Sequence, residues 1–122
     1  MRDLTPEYLD DLRDIHLSRG MRMPDPEILP AVVYIEPGVG AGMLYQTDSS
    51  ICLLDGVVTH AGASRESRHA FLSEMFEQVE KDARLLGFKF IVAFASEDNL
   101  PARGVERGWV PGLKTTLYQK EL

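Results

Sequence analysis

Residues 51–95 read ICLLDGVVTHAGASRESRHAFLSEMFEQVEKDARLLGFKFIVAFA, and the order of their apolar patterns decides the fold. Ile51 to Thr59 is an apolar run broken only by Asp55-Gly56. From about Ser64 to Leu86, the side chains of Phe71, Leu72, Met75, Phe76, Val79, Ala83 and Leu86 recur at the spacing of one helical stripe. Ser64 suits the N-cap and Gly87 the stop. Glu77/Lys81 and Glu80/Arg84 are spaced to pair across one turn on the wet side. Phe88 to Ala95 is apolar almost throughout, Lys89 excepted, which is the pattern of a strand covered on both faces. A strand, a helix of this length and a second strand imply a right-handed parallel crossover.

Asp55-Gly56 admits two readings. Between apolar pairs it is a type I′ hairpin signal, but a hairpin there leaves very short arms. One strand from Ile51 to Thr59 with Gly56 at a bulge is the favoured reading.

Working outward, Tyr8, Leu9, Leu12, Ile15 and His16 share one face of a helix over Thr5 to Ser18, with Thr5 as N-cap, Pro6 at the first helical position and Gly20 as the stop. Three prolines between Met21 and Pro30 make that segment a loop with at most one turn. Ala31 to Glu36, the turn Pro37-Gly38-Val39-Gly40 and Ala41 to Gln46 read as a hairpin. Leu113 to Leu122 alternates as a final strand would.

At 122 residues the chain has room for one domain, 1–122, with one core and no need of metals or disulfides. Thirteen basic residues against nineteen acidic ones give a net charge of −6, which argues against a broad nucleic-acid footprint. Cys52, the only cysteine, lies in an apolar run and reads as a small core residue in a reducing compartment. No apolar run approaches the roughly 18 to 20 residues that cross a bilayer, so a membrane partner is not expected and a cytoplasmic protein is. His16 and His69 have no neighbours at metal-ligand spacing and read as a helix-face and a helix-surface histidine; no metal is expected.

The order from Ile51 to the Gly108-Trp109 pair resembles the acetyl-CoA-binding half of the GNAT N-acetyltransferases, in which two parallel strands part and the cofactor enters between them. Asp55-Gly56-Val57-Val58-Thr59-His60 through Arg68 also looks like the small GNAT-like proteins of tailed bacteriophages, some of which are internal virion proteins. The resemblance implies an α/β (α+β) fold with a mixed, mostly antiparallel sheet, a central parallel strand pair splayed apart and helices on both faces. It also favours the bulge at Gly56, because the corresponding strand of the family is bulged beside the acetyl group.

For the site, the resemblance implies that backbone groups of Val57, Val58 and Thr59 hold the pantetheine arm. The loop Ala63, Ser64, Arg65, Glu66, Ser67 and Arg68 would meet the pyrophosphate at a helix N-terminus, where unpaired amides and the helix dipole favour an anion. The family pattern there is arginine or glutamine, two residues, glycine, one residue, then glycine or alanine. It falls on Ala63, Glu66 and Arg68, and all three depart from it. Glu66 also suits an ordinary helix start. Arg65 and Arg68 could supply cations in place of the lost backbone approach, or simply be solvated.

Asn99 stands where the family begins a helix flanking the cofactor, and it suits an N-cap. Asp55 and His60 are the nearest candidates for deprotonating an amine nucleophile. Their plain alternatives are a bulge aspartate and a loop histidine. The family's general-acid tyrosine falls on Gly104, which leaves Tyr118, otherwise a packing residue, as the substitute proton donor.

The implied activity is acetyl transfer from acetyl-CoA to a primary amine on a small molecule or protein, with the acceptor chosen by the Met21 to Pro30 segment and the carboxy-terminal strands. The alternative is a catalytically silent GNAT-fold protein working through phage virion or host partners, placed in the host cytoplasm or the virion. An unrelated α/β ligand-binding module is a third reading.

Overall fold

A computed structural model describes residues 6–94, 105–112, 118 and 120–122. Pro6 opens α1 (Pro6–Ser18), where its missing N–H costs nothing. Leu12 and Ile15 are fully buried and His16 almost so. The His16 imidazole is satisfied within its own helix, Nδ1 lying 2.9 Å from the Leu12 carbonyl. The proline-rich crossing holds a single 3-10 turn, Pro26–Ile28, capped by the Asp25 carboxylate accepting from the Glu27 amide.

The hairpin is formed by β1 (Val32–Glu36) and β2 (Gly40–Tyr45), paired antiparallel. β2 pairs antiparallel with β3 (Ile51–Thr59), and β3 pairs parallel with β4 (Phe90–Ala93) across α2 (Arg65–Leu85). The strand order β1-β2-β3-β4 follows the chain. Among the described residues the fold is thus α+β, a mixed four-stranded sheet with one parallel pair and a helix on each face.

The favoured reading of Asp55-Gly56 is borne out. The register steps from Met43↔Asp55 to Ala41↔Val58, so Gly56 and Val57 stand opposite Gly42 alone. Gly56 has φ +64°, a left-handed conformation that glycine adopts without penalty. The bulge keeps β3 in service to both cores. Cys52, Leu54 and Val57 pack with Tyr34, Leu44, Phe71, Met75 and Val79 under α2. Val58 packs with Val33, Ile35, Ala41 and Met43 under α1.

Close approach of α2 to the sheet explains Gly40, where an added Cβ would lie 2.6 Å from the Phe71 ring. Ser64 caps α2 by accepting from the Ser67 amide at 3.0 Å, and Gly87, with φ +89°, follows its end.

Two expectations need correcting. β4 is not covered on both faces: Phe90 is 62% and Val92 40% exposed, with Phe94 beyond them also exposed. The short α1 sits over β1, β2 and the far end of β3 and leaves that corner of the sheet open. An all-apolar strand reads the same whether one face or two are buried.

Among the described residues β4 is the outer strand of the sheet. The final strand expected over Leu113 to Leu122 falls largely outside the described residues, and positions 118 and 120–122 are not in a strand. Lastly, Glu80 is taken by more distant partners than Arg84. It accepts from the Trp109 indole at 3.0 Å and from Arg107 at 3.3 Å, while Trp109 meets Phe76 edge to face. A half-buried indole N–H requires an acceptor, and Glu80 lies where the ring docks.

Candidate functional site

The expected site lies where β3 outruns β4. The parallel ladder joins Ile51 to Phe90 through Leu54 to Ala93, and the Phe94 amide reaches the Leu54 carbonyl at 3.4 Å. From Asp55 to Thr59, β3 has no β4 partner among the described residues. Residues 95–104, and Asn99 with them, lie outside the described residues.

The end of β3 is fixed by α1. Arg19 donates from Nε to the Thr59 carbonyl at 2.8 Å and from Nη2 to the Thr59 hydroxyl at 2.9 Å. The His60 amide donates to the Val39 carbonyl at 2.7 Å. A trans peptide points its N–H and C=O in opposite directions, so the Thr59 carbonyl faces away from β2, and Arg19 meets it on that side. Of the three residues expected to hold a pantetheine arm, Thr59 already has its carbonyl and hydroxyl engaged. Val57 and Val58 are buried to different degrees on opposite faces.

His60 is engaged at both ring nitrogens. Nδ1 accepts from the Gly62 amide at 2.8 Å, which makes it the unprotonated nitrogen, and Nε2 lies 3.1 Å from the Asp14 carboxylate, to which it donates. Ala61 completes the clamp, its amide donating to the Ser18 hydroxyl at 3.0 Å. To serve as a base, His60 would have to release one of these partners.

Asp55 does not join His60. It sits one residue before the bulge, exposed, on the order of 13 to 16 Å along the strand from His60. Its charge is felt instead by Tyr45, whose phenol is pushed up first by burial and then by Asp55. Tyr118 is 88% exposed and, among the described residues, makes no hydrogen bond to Asp55 or His60. Asp55 and His60 are therefore not brought together, and Tyr118 is hydrogen-bonded to neither.

In the loop, Ala63 and Arg68 are half-buried, whereas Ser64, Arg65, Glu66 and Ser67 are exposed. The Ser64 hydroxyl also donates to that of Ser67 at 2.9 Å. Both arginines thus stand in the first turn of a 21-residue helix, beside one carboxylate.

Two open cavities lie elsewhere. One, of about 330 Å³, is walled by Arg84, Phe88, Lys89, Arg107 and Trp109 at the opposite end of α2. The other, of about 630 Å³, lies between Arg13, Arg22, Met23, Ile28 and Glu121, against the segment expected to choose an acceptor. Neither is lined by Asp55, His60, Arg65 or Arg68.

Sequence reasoning missed Asp14, Ser18 and Arg19. Their signal is faint: Asp14 and Ser18 are one turn apart on α1, so they share a face, and Arg19 follows. No helix among the described residues is long and apolar enough to cross a membrane. No protein-family model matches the chain, and no curated protein matches it.

Proposed function

We propose that the protein is a GNAT-like domain that binds acetyl-CoA and passes its acetyl group to a primary amine. One observation carries the reading: a parallel β3/β4 crossover in which β3 bulges at Gly56, runs past β4 among the described residues and delivers the chain to the Ser64-capped start of α2. Donors at a helix start favour a pyrophosphate, and Arg65 and Arg68 supply side-chain cations there. Acetyl-CoA at 100 times its dissociation constant should add about 2.7 kcal/mol of stability, read as a rise in Tm. Replacing Arg65 and Arg68 together by alanine should erase that rise. A rise that survives the double substitution sinks the loop assignment, and no rise at millimolar acetyl-CoA sinks cofactor binding.

A second reading is favoured by the engagement of Thr59 and His60. With the Thr59 carbonyl held by Arg19 and both His60 nitrogens bonded, the same fold suits a catalytically silent interaction protein, such as a phage virion or host-binding component. Absence of a Tm response to acetyl-CoA favours this reading over the first.

A further inference from the structure

The loop between β3 and α2 is held through a histidine in one protonation state. Of the side chains that change charge between about pH 5 and 8, histidine is the ordinary one. His60 Nδ1 can accept the Gly62 N–H only while it carries no proton, and the ring lies close over Gly62, where an added Cβ would be 3.1 Å from Cε1. Protonation turns the acceptor into a donor and sets two N–H groups against each other. The other side of the ring gains by the same event, because Nε2–H facing the Asp14 carboxylate becomes half of an ion pair.

The charged surroundings are few. Asp14 and Arg19 come from the end of α1, with Arg19 bonded to the neighbouring Thr59. The β1–β2 turn presents the neutral Val39 carbonyl to the His60 amide. Arg65 and Glu66 in the first turn of α2 are exposed and bond to neither ring nitrogen.

We infer that His60 is a proton-operated latch: neutral, it ties the Gly62 amide down; protonated, it stays anchored to Asp14 and releases that amide in the loop just before α2. The latch goes beyond the cofactor reading and does not depend on it. Acid does not undo the clamp as a whole, since Arg19 on Thr59 and Ser18 on Ala61 involve no titrating histidine.

The test uses the full chain labelled with nitrogen-15. Ring nitrogen shifts at pH 8 should show the proton on Nε2. Between pH 8 and pH 5 the hydrogen-exchange protection of the Gly62 amide, corrected for the intrinsic rate, should fall about fivefold, the ratio expected for loss of one hydrogen bond. The Leu54 amide serves as a control and should not change. In His60→Asn the side-chain oxygen can accept the same amide two residues on without titrating, so the fall should vanish. A proton on Nδ1 at pH 8, unchanged Gly62 protection while the ring titrates, or an equal fall in His60→Asn would each overturn the latch.

Discussion

The two faces of the sheet are built differently. Under α2 the core draws on all four strands, from Tyr34 and Leu44 through Cys52 and Leu54 to Ile91 and Ala93, closed by Phe71, Met75, Phe76 and Val79. Under α1 the core stops at Val58 and leaves Phe90 and Val92 of β4 exposed. The α2 face holds polar groups only where they are satisfied, as when the Tyr34 hydroxyl donates to Asp82 at 2.8 Å and Gln78 reaches the same carboxylate. The α1 face ends in the polar clamp on Thr59, His60 and Ala61. One face carries stability, and the other positions a loop.

That division can be broken most directly at Phe71. Phe71→Ala should remove about 3 to 5 kcal/mol, the cost of emptying a well-packed aromatic site, measured as a drop in the urea midpoint at constant slope. A loss below about 1 kcal/mol would mean that the α2 face is not the main core.

High pH probes the same face. Burial, then the hydrogen bond to Asp82, hold the Tyr34 phenol well above its ordinary value, and Cys52 is raised by burial too. The unfolded chain gives up these protons first. Stability should therefore be whole below about pH 8.5 and fall as pH rises through the unfolded values of cysteine and then tyrosine, by at most about 1.4 kcal/mol per unit for each group. Tyr34→Phe should reduce the tyrosine part of the decline in denaturation curves taken from pH 9 to 11, leaving the share of Tyr45, whose phenol is also raised.

On the α1 face the expected effects are smaller. Arg19→Ala should cost about 1 kcal/mol, because its two hydrogen bonds lie on an exposed guanidinium, yet it should raise the exchange rate of the Ala61 and Gly62 amides. A stability loss with no change in those amides would separate Arg19 from the loop. Smallest of all, Val92→Thr should alter stability by less than about 0.5 kcal/mol. A larger loss would show that this corner is covered in solution.

Much of the α2 face was legible in the sequence. The helical stripe and the Ser64 cap are written in spacing and in residue types with few other uses, whereas the Gly56 bulge had to be chosen against a hairpin. The hairpin and the parallel crossover follow from the same local signals.

What was not legible depends on where distant segments meet. The Asp14–His60 pair spans 46 positions and the Arg19–Thr59 pair 40, and nothing in either sequence neighbourhood announces its partner. Glu80 is spaced to pair with Arg84, but the docked Trp109 ring and Arg107 take its carboxylate instead. The open face of β4 was hidden for a different reason: an all-apolar run is silent about which side is dry.

Gly56 has one more consequence. The bulge absorbs it, so that Asp55, Val57 and Val58 alternate as though it were not there. Excising this glycine would leave every neighbour on its present side of the sheet and opposite its present partner, Val58 still facing Ala41 and Thr59 still facing Gly40, so the arm beyond would lose no length. What would go is the local kink and added twist that a bulge imposes. The surplus residue works as a bend, setting the angle at which the strand's tip meets the first helix.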